Sequence, residues 1–209
     1  MRGKIRVSRG LVALLLLGAV ALGTVWTRDG VKVSEVWPPA VALGAALLHE
    51  VGHLIAAWGA GVRVRGVALD LLGARMALSG APSYGQEFLV AAGGPFVSLV
   101  GGVLTFPWAA RACEEAMVFC GASLLLGAVN LLPVGTLDGG RMLRCAVATL
   151  WGDRAAVGAL RWTTGGCLGL FWLLSAYGLL RGGVYLSSFA FSLCLLGRLV
   201  TGEDGDGFS

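Results

Sequence analysis

The sequence predicts an all-α integral membrane protein with about six transmembrane helices and a short interfacial β-ribbon between the second and third. Hydrophobic residues make up 56% of the 209 residues, and charged residues make up 13%. The mean hydropathy is +0.80. The 34 glycines are dispersed through the apolar runs, as in tightly packed membrane helices. Together these observations exclude an ordinary soluble domain and favour a polytopic membrane protein.

The predicted spans are apolar runs separated by short polar segments. They cover residues 11–26, 39–60, 88–108, 116–145, 163–180 and 184–199. A basic stretch precedes the first span, so a cleaved signal peptide is the alternative to an uncleaved anchor. We expect residues 1–209 to form a single membrane domain.

Residues 62–78, between the second and third spans, are too short and too charged to cross a bilayer. They begin with valines that alternate with arginine and glycine, which is typical of a β-ribbon at the cytoplasmic interface. A plain connecting loop is the alternative. If strands form, an exposed edge could pair with an extended polypeptide.

The basic residues indicate the orientation of the chain. Six crossings put both termini on one side, and assigning that side to the cytoplasm leaves only four of the 16 basic residues outside, as the positive-inside rule expects. Those four are Arg28, Lys32, Arg111 and Arg181. The basic residues are not interleaved with aromatic residues on one face, so we expect the lipid bilayer as a partner and no nucleic acid.

Cysteine spacing gives no sign of a disulfide framework or a cysteine metal cluster. The five cysteines are odd in number, are widely spaced and include no CxxC pair. We interpret them as buried packing thiols.

His49, Glu50 and His53 form the run HEVGH inside the apolar segment 40–60. Histidines four residues apart lie on one face of a helix, so both imidazoles can reach one metal ion while Glu50 meets a bound water. A helix over 40–60 would rise about 31 Å, enough to cross a bilayer core of roughly 30 Å. Ionisable groups at such depth mark function. The pattern predicts hydrolytic zinc chemistry, with Glu50 as the catalytic base.

A catalytic zinc site needs three protein ligands and an open position for water. The chain has only two histidines, so the third ligand must be Asp, Glu or Cys. Asp138 is the acidic residue at a depth similar to that of the histidines, if both helices end at the cytoplasmic face. The alternative is an intramembrane aspartate that serves as a proton relay or ion site in a transporter.

Asp138 belongs to a segment that should interrupt its helix. Pro133 removes a backbone donor, and Gly135 and Gly140 weaken helical continuity. Asn130, at the start of this segment, could satisfy the broken backbone or bind substrate backbone. We assign Asn130 and Pro133 as candidate substrate-binding residues.

The two motifs HEVGH and NLLPVGTLDGG, with Ala92-Gly93-Gly94-Pro95 between them, resemble the site-2 protease family of intramembrane zinc metalloproteases. The resemblance covers roughly residues 39–144. It implies a zinc endopeptidase that cleaves a membrane-associated protein within or near the bilayer. In such an enzyme His49, His53 and Asp138 would bind Zn²⁺ and Glu50 would be catalytic.

Within this family the short layout with a cytoplasmic active face looks most like the stage IV sporulation protein FB branch. That likeness implies a bacterial cell membrane, a sigma-factor precursor as substrate and a regulatory membrane protein as partner. The sequence departs from the branch at Thr136, where a second proline is usual, and at Ser98, where Asn is common. We expect no C-terminal CBS domain, because the chain stops at Ser209, shortly after the last predicted span.

Two other classes of protein could use the same residues. A metal-ion transporter could bind its ion with the histidines and Asp138, and a non-catalytic membrane scaffold could hold a client without cutting it. Glu50 distinguishes them from a protease, since proteolysis requires the carboxylate whereas transport need not.

Overall fold

The computed structural model describes residues 4–7, 33–70, 73–78 and 80–180. The chain is mainly helical, as predicted. The elements in chain order are β1 (Lys4–Val7), α1 (Val33–Gly59), β2 (Val64–Asp70), β3 (Gly73–Leu78), α2 (Tyr84–Ala109), α3 (Glu114–Asn130), α4 (Asp138–Trp151) and α5 (Asp153–Leu180). The predicted spans 11–26 and 184–199 lie outside the described residues, so the six-span count stays a prediction.

The chain divides into two compact units, Met1–Leu131 and Leu132–Ser209. The first unit contains the small sheet and helices α1, α2 and α3. The second contains α4 and α5.

The strands form a three-stranded sheet in the order β1-β2-β3. β2 and β3 pair antiparallel within the segment for which sequence alternation favoured a ribbon. β1 pairs parallel to β2, with Lys4 opposite Gly66 and Val7 opposite Leu69. In the sequence, Lys4–Val7 stands out only as part of a basic stretch, because nothing local signals a partner some 60 residues away. The location of this sheet at a membrane interface stays a prediction.

Helices α1 and α2 approach each other closely because glycines line their contact. A Cβ atom added to Gly52 would lie 2.5 Å from the carbonyl oxygen of Gly93. One added to Gly93 would lie 2.5 Å from the Cβ of Ala56. Real Cβ atoms do not come this close, so neither position has room for a side chain. Small residues at the interface let the backbones meet, as in membrane helix pairs.

Two helices among the described residues are long and apolar enough, by length and composition, to cross a membrane. They are Trp37–Gly59, with mean hydropathy 1.6, and Tyr84–Ala109, with mean hydropathy 1.8. They correspond to predicted spans 39–60 and 88–108. Large apolar side chains such as Leu47, Trp58 and Phe106 are exposed on them, which provides surface for lipid. The crossings predicted at 116–145 and 163–180 stay predictions.

Helix α1 begins earlier than the predicted span. Pro38 and Pro39 lie inside the helix, whereas the predicted span began at Pro39. At the start of α2, Ser83 and Gln86 form a capping box. The Gln86 side chain also donates a hydrogen bond of 3.0 Å to the carbonyl of Ala60, just past the end of α1. This bond fixes the start of α2 beside the end of α1.

The helical break predicted around Pro133 is confirmed. α3 ends at Asn130, and α4 starts at Asp138. α4 then continues to Trp151, beyond the predicted limit at residue 145, and α5 begins at Asp153, well before residue 163. The span limits at residues 145 and 163 stay predictions, because a helix can extend beyond the part of it that crosses a membrane. Gly152, at φ 83°, separates the two helices.

Candidate metal centre

The structure brings the two histidines of HEVGH together on the inner face of α1. His49 is 4% exposed and His53 is 5% exposed. Their Nε2 atoms lie 3.2 Å apart, and the rings meet edge to face at 83°. Glu50 follows His49 directly on the same helix and is half-buried. This arrangement agrees with the helical spacing that predicted it.

Helix α2 holds both imidazoles by their Nδ1 atoms. His53 Nδ1 lies 2.7 Å from the carbonyl oxygen of Val90, and His49 Nδ1 lies 2.9 Å from Ser98 Oγ. The Gly94 N–H also lies 3.3 Å from His53 Nδ1. Because a carbonyl can only accept, the shorter contact decides the direction, and His53 Nδ1–H donates to Val90. The Nε2 atom of a neutral His53 therefore carries a lone pair.

The spacing of the two Nε2 atoms fits a metal ion. Ser98 Oγ can accept a hydrogen bond, so His49 can hold its proton on Nδ1 as His53 does. Both Nε2 lone pairs then converge. Two nitrogen ligands about 2.0–2.1 Å from a tetrahedral zinc ion would lie roughly 3.3 Å apart. The separation of 3.2 Å in this chain is close to that value.

Gly94 of α2 lies directly against the Nε2 edges of both rings. A Cβ atom at this position would collide with His53 Nε2 and would lie 2.7 Å from His49 Nε2. In the sequence, Gly94 stands out only within the run Ala92-Gly93-Gly94-Pro95, which does not predict this contact. Val90, Gly94 and Ser98 are spaced four residues apart, so they form a stripe along one face of α2. That spacing is the signal that could have found it.

In the second unit, Asp138 opens helix α4 and is 9% exposed. A carboxylate is favourable in the first turn of a helix, where unpaired backbone N–H groups point toward it. Arg141 Nη1 lies 3.9 Å from Asp138 Oδ1, one helical turn away. An ionised carboxylate accepts through two oxygens, which is the chemistry required of a metal ligand.

The turn before Asp138 is fixed by contacts within its own unit. Gly135 N–H donates a 3.0 Å hydrogen bond to Thr164 Oγ1 on α5. A Cβ atom at Gly140 would collide with the carbonyl of Val134, so the chain can fold back here only because residue 140 is glycine. These contacts set the direction in which the chain enters α4.

Replacing Thr164 with Val should destabilise this turn. The methyl group has nearly the shape of the hydroxyl but cannot accept the Gly135 N–H, and loss of a hydrogen bond costs about 1 kcal/mol. Thermal unfolding in detergent should therefore show a lower Tm for T164V. Thr164→Ser keeps the hydroxyl and should lie closer to wild type; equal Tm values for T164V and wild type would show that the bond does not hold the turn.

The two candidate substrate-binding residues lie at the end of α3 and in the turn that follows it. Asn130 Nδ2 donates a 3.0 Å hydrogen bond to the carbonyl of Leu126 at the end of α3, so its amide satisfies helix backbone. Pro133 is half-buried in the turn. Contact of either residue with substrate stays a prediction.

No protein-family model matches the chain. The chain is similar to Rip3 of Mycobacterium tuberculosis, a protein named as a zinc metalloprotease, in strains Erdman and H37Rv. The two sequences are 40% identical over 135 residues, which cover 58% of this chain and 34% of the relative. The zinc metalloprotease MJ0392 of Methanocaldococcus jannaschii is 28% identical over 114 residues, covering 52% of this chain and 33% of that protein. The chain thus spans about a third of the length of these curated relatives.

Among solved structures, the site-2 protease from Methanocaldococcus jannaschii matches with a TM-score of 0.61 and 20% identity, over 94% of this chain and 89% of that one. The fold is therefore that of a site-2 protease. The named relatives support the same family and support zinc as its metal. Together with the two apolar helices, the structural match suggests a membrane protein. The resemblance to the sporulation branch stays a prediction.

Proposed function

We propose that this chain is an intramembrane zinc metalloprotease that cleaves a membrane-associated protein within or near the bilayer. One observation carries the proposal. The Nε2 atoms of His49 and His53 converge at 3.2 Å, while Ser98 and Val90 contact the opposite ring nitrogens. The HExxH sequence and the zinc metalloproteases to which the chain is similar support the same activity.

His49, His53 and Asp138 are the proposed zinc ligands. Their side chains supply two imidazoles and one carboxylate, a donor set suited to a metal ion. Two nitrogen donors and one oxygen donor match the ligand chemistry of catalytic zinc sites, which keep a fourth position open. When bound, zinc acts as a Lewis acid that acidifies a water molecule and polarises the scissile carbonyl.

Glu50 is the proposed general base and general acid. Its carboxylate accepts a proton from the attacking water and then donates that proton to the nitrogen of the leaving amine. The carbonyl of Val90 keeps the His53 imidazole turned so that its Nε2 atom remains available. Asn130 and Pro133 would contact the extended substrate next to the break between α3 and α4.

The proposed substrate is a sigma-factor precursor in sporulation, cleaved at the cytoplasmic face of a bacterial cell membrane. The resemblance to the sporulation protein FB branch supports this substrate. The distribution of basic residues supports the cytoplasmic location, for a six-span chain with both termini in the cytoplasm. A regulatory membrane protein is the proposed partner.

Zinc content tests the ligand set. Purified wild type in detergent should retain one zinc ion per chain, measured by elemental analysis after dialysis. Asp138→Asn removes the anionic ligand and should weaken zinc binding in competition with a chelator. Asp153→Asn is the matched control, because Asp153 opens the next helix and is exposed. Equal zinc affinity in D138N and D153N would show that another residue is the third ligand.

A further inference from the structure

We infer that Ser98 is a positioning residue for the metal centre, whose hydroxyl sets the tautomer and ring orientation of His49. The inference rests on the proposed zinc site and goes beyond it by assigning a role to a residue outside the ligand set. At this position, where the sporulation branch commonly has Asn, a polar side chain could contact either the substrate or the metal centre.

Burial argues against substrate contact. Ser98 is 0% exposed and is among the most completely buried side chains of the described residues. Its Oγ lies 2.9 Å from His49 Nδ1, a buried contact between residues that are 49 positions apart in the sequence. A side chain enclosed in this way cannot reach a peptide entering from outside, but it is in direct contact with a proposed ligand.

The contact matters because of what it does at the other ring nitrogen. To bind a metal through Nε2, a neutral His49 must carry its proton on Nδ1. Ser98 Oγ can accept that proton in a hydrogen bond, which favours the metal-binding tautomer and restrains ring rotation. The Val90 carbonyl does the same for His53. The Val90 carbonyl belongs to the main chain and cannot be removed by substitution. The effect of a hydrogen bond to Nδ1 can therefore be tested only at Ser98.

The neighbouring helix supplies a matched control. Ser123 on α3 is also 0% exposed, and its Oγ has no hydrogen-bond partner within the part of the chain that the structure describes. Ser98→Ala and Ser123→Ala therefore remove the same atom from equally buried positions. Only Ser98→Ala removes a partner of a proposed zinc ligand.

The test compares zinc affinity by chelator competition, and the visible spectrum after loading with Co²⁺, for detergent-purified wild type, S98A and S123A. Loss of a partner of this kind typically weakens metal binding 10–100-fold. We expect S98A to bind zinc at least about 10-fold more weakly than wild type and to have an altered cobalt spectrum. S123A should stay within about twofold of wild type, and Ser98→Thr, which keeps the hydroxyl, should recover affinity lost in S98A.

Two results would overturn the inference. Unchanged zinc affinity and cobalt spectrum in S98A would show that the hydroxyl does not position His49. Equal weakening in S98A and S123A would show a general packing effect of buried serines. If S98T does not fold, the comparison between the two alanine variants decides. Failure of the proposed zinc site is recognised separately, since in that case wild type itself binds no zinc, and failure of proteolysis alone would leave the zinc affinities unchanged.

Discussion

Glu50→Gln is expected to abolish cleavage while zinc stays bound. The amide has nearly the same shape as the carboxylate but cannot accept the proton of the attacking water. General acid–base catalysis contributes roughly 10²–10⁴-fold to a rate, so the loss should be at least about 100-fold. Glu50 is only half-buried and lies beside His49 without belonging to the proposed ligand set, so neither the fold nor the zinc content should change.

The measurement is cleavage of a membrane-tethered sigma-factor precursor, co-expressed from the same genome with wild type or E50Q. Glu114→Gln is the control, because Glu114 is an exposed glutamate at the start of α3 and should have no effect. Equal cleavage by wild type and E50Q would refute the role of Glu50. If neither cleaves although both bind zinc, the sporulation substrate is the wrong one. Metal uptake that persists in E50Q without cleavage by either protein would favour the transporter.

Gly94→Ala is expected to remove zinc binding altogether. The added methyl group would occupy space that the Nε2 edges of His53 and His49 already fill. Within a helix, alanine is otherwise favoured over glycine by about 1 kcal/mol, so any loss must come from this collision and not from helix propensity. Because Gly94 faces both rings, the substitution should displace two proposed ligands at once.

Gly44→Ala on α1 is the control for Gly94→Ala. A Cβ atom there would meet nothing within 4 Å, so G44A should bind zinc as wild type does. Elemental analysis of the purified proteins gives the zinc content, and circular dichroism checks that the helices remain. A zinc content in G94A equal to that of wild type would mean that the imidazoles can move aside without losing the ion, and that the close contact does not constrain them.

Sequence reasoning was strongest where the chemistry is local. His49 and His53 are four residues apart, so helical geometry alone places them together, and the structure agrees. The break between α3 and α4 was also predictable, because Pro133 cannot continue a helix. Asp138 was predicted by elimination, because the chain has only two histidines, and its role as the third ligand stays a prediction.

The contributions of α2 and β1 could not be predicted in the same way. Val90 acts through its main-chain carbonyl, which every residue possesses, so its identity carries no signal. Gly94 acts through the absence of a side chain, which sequence alone cannot distinguish from ordinary helix packing. The pairing of Lys4–Val7 with β2 joins segments that are remote in the sequence, and no periodicity within either segment specifies a remote partner.

The close approach of α1 and α2 at Gly52 and Gly93 has a practical meaning for handling this protein. The Val90 and Ser98 contacts that orient the two imidazoles both come from α2, so we expect a small separation of the two helices to release both rings together. Loss of the metal would then report an increase in the distance between α1 and α2. We expect a detergent or lipid that separates α1 from α2 to strip the ion before either helix unwinds.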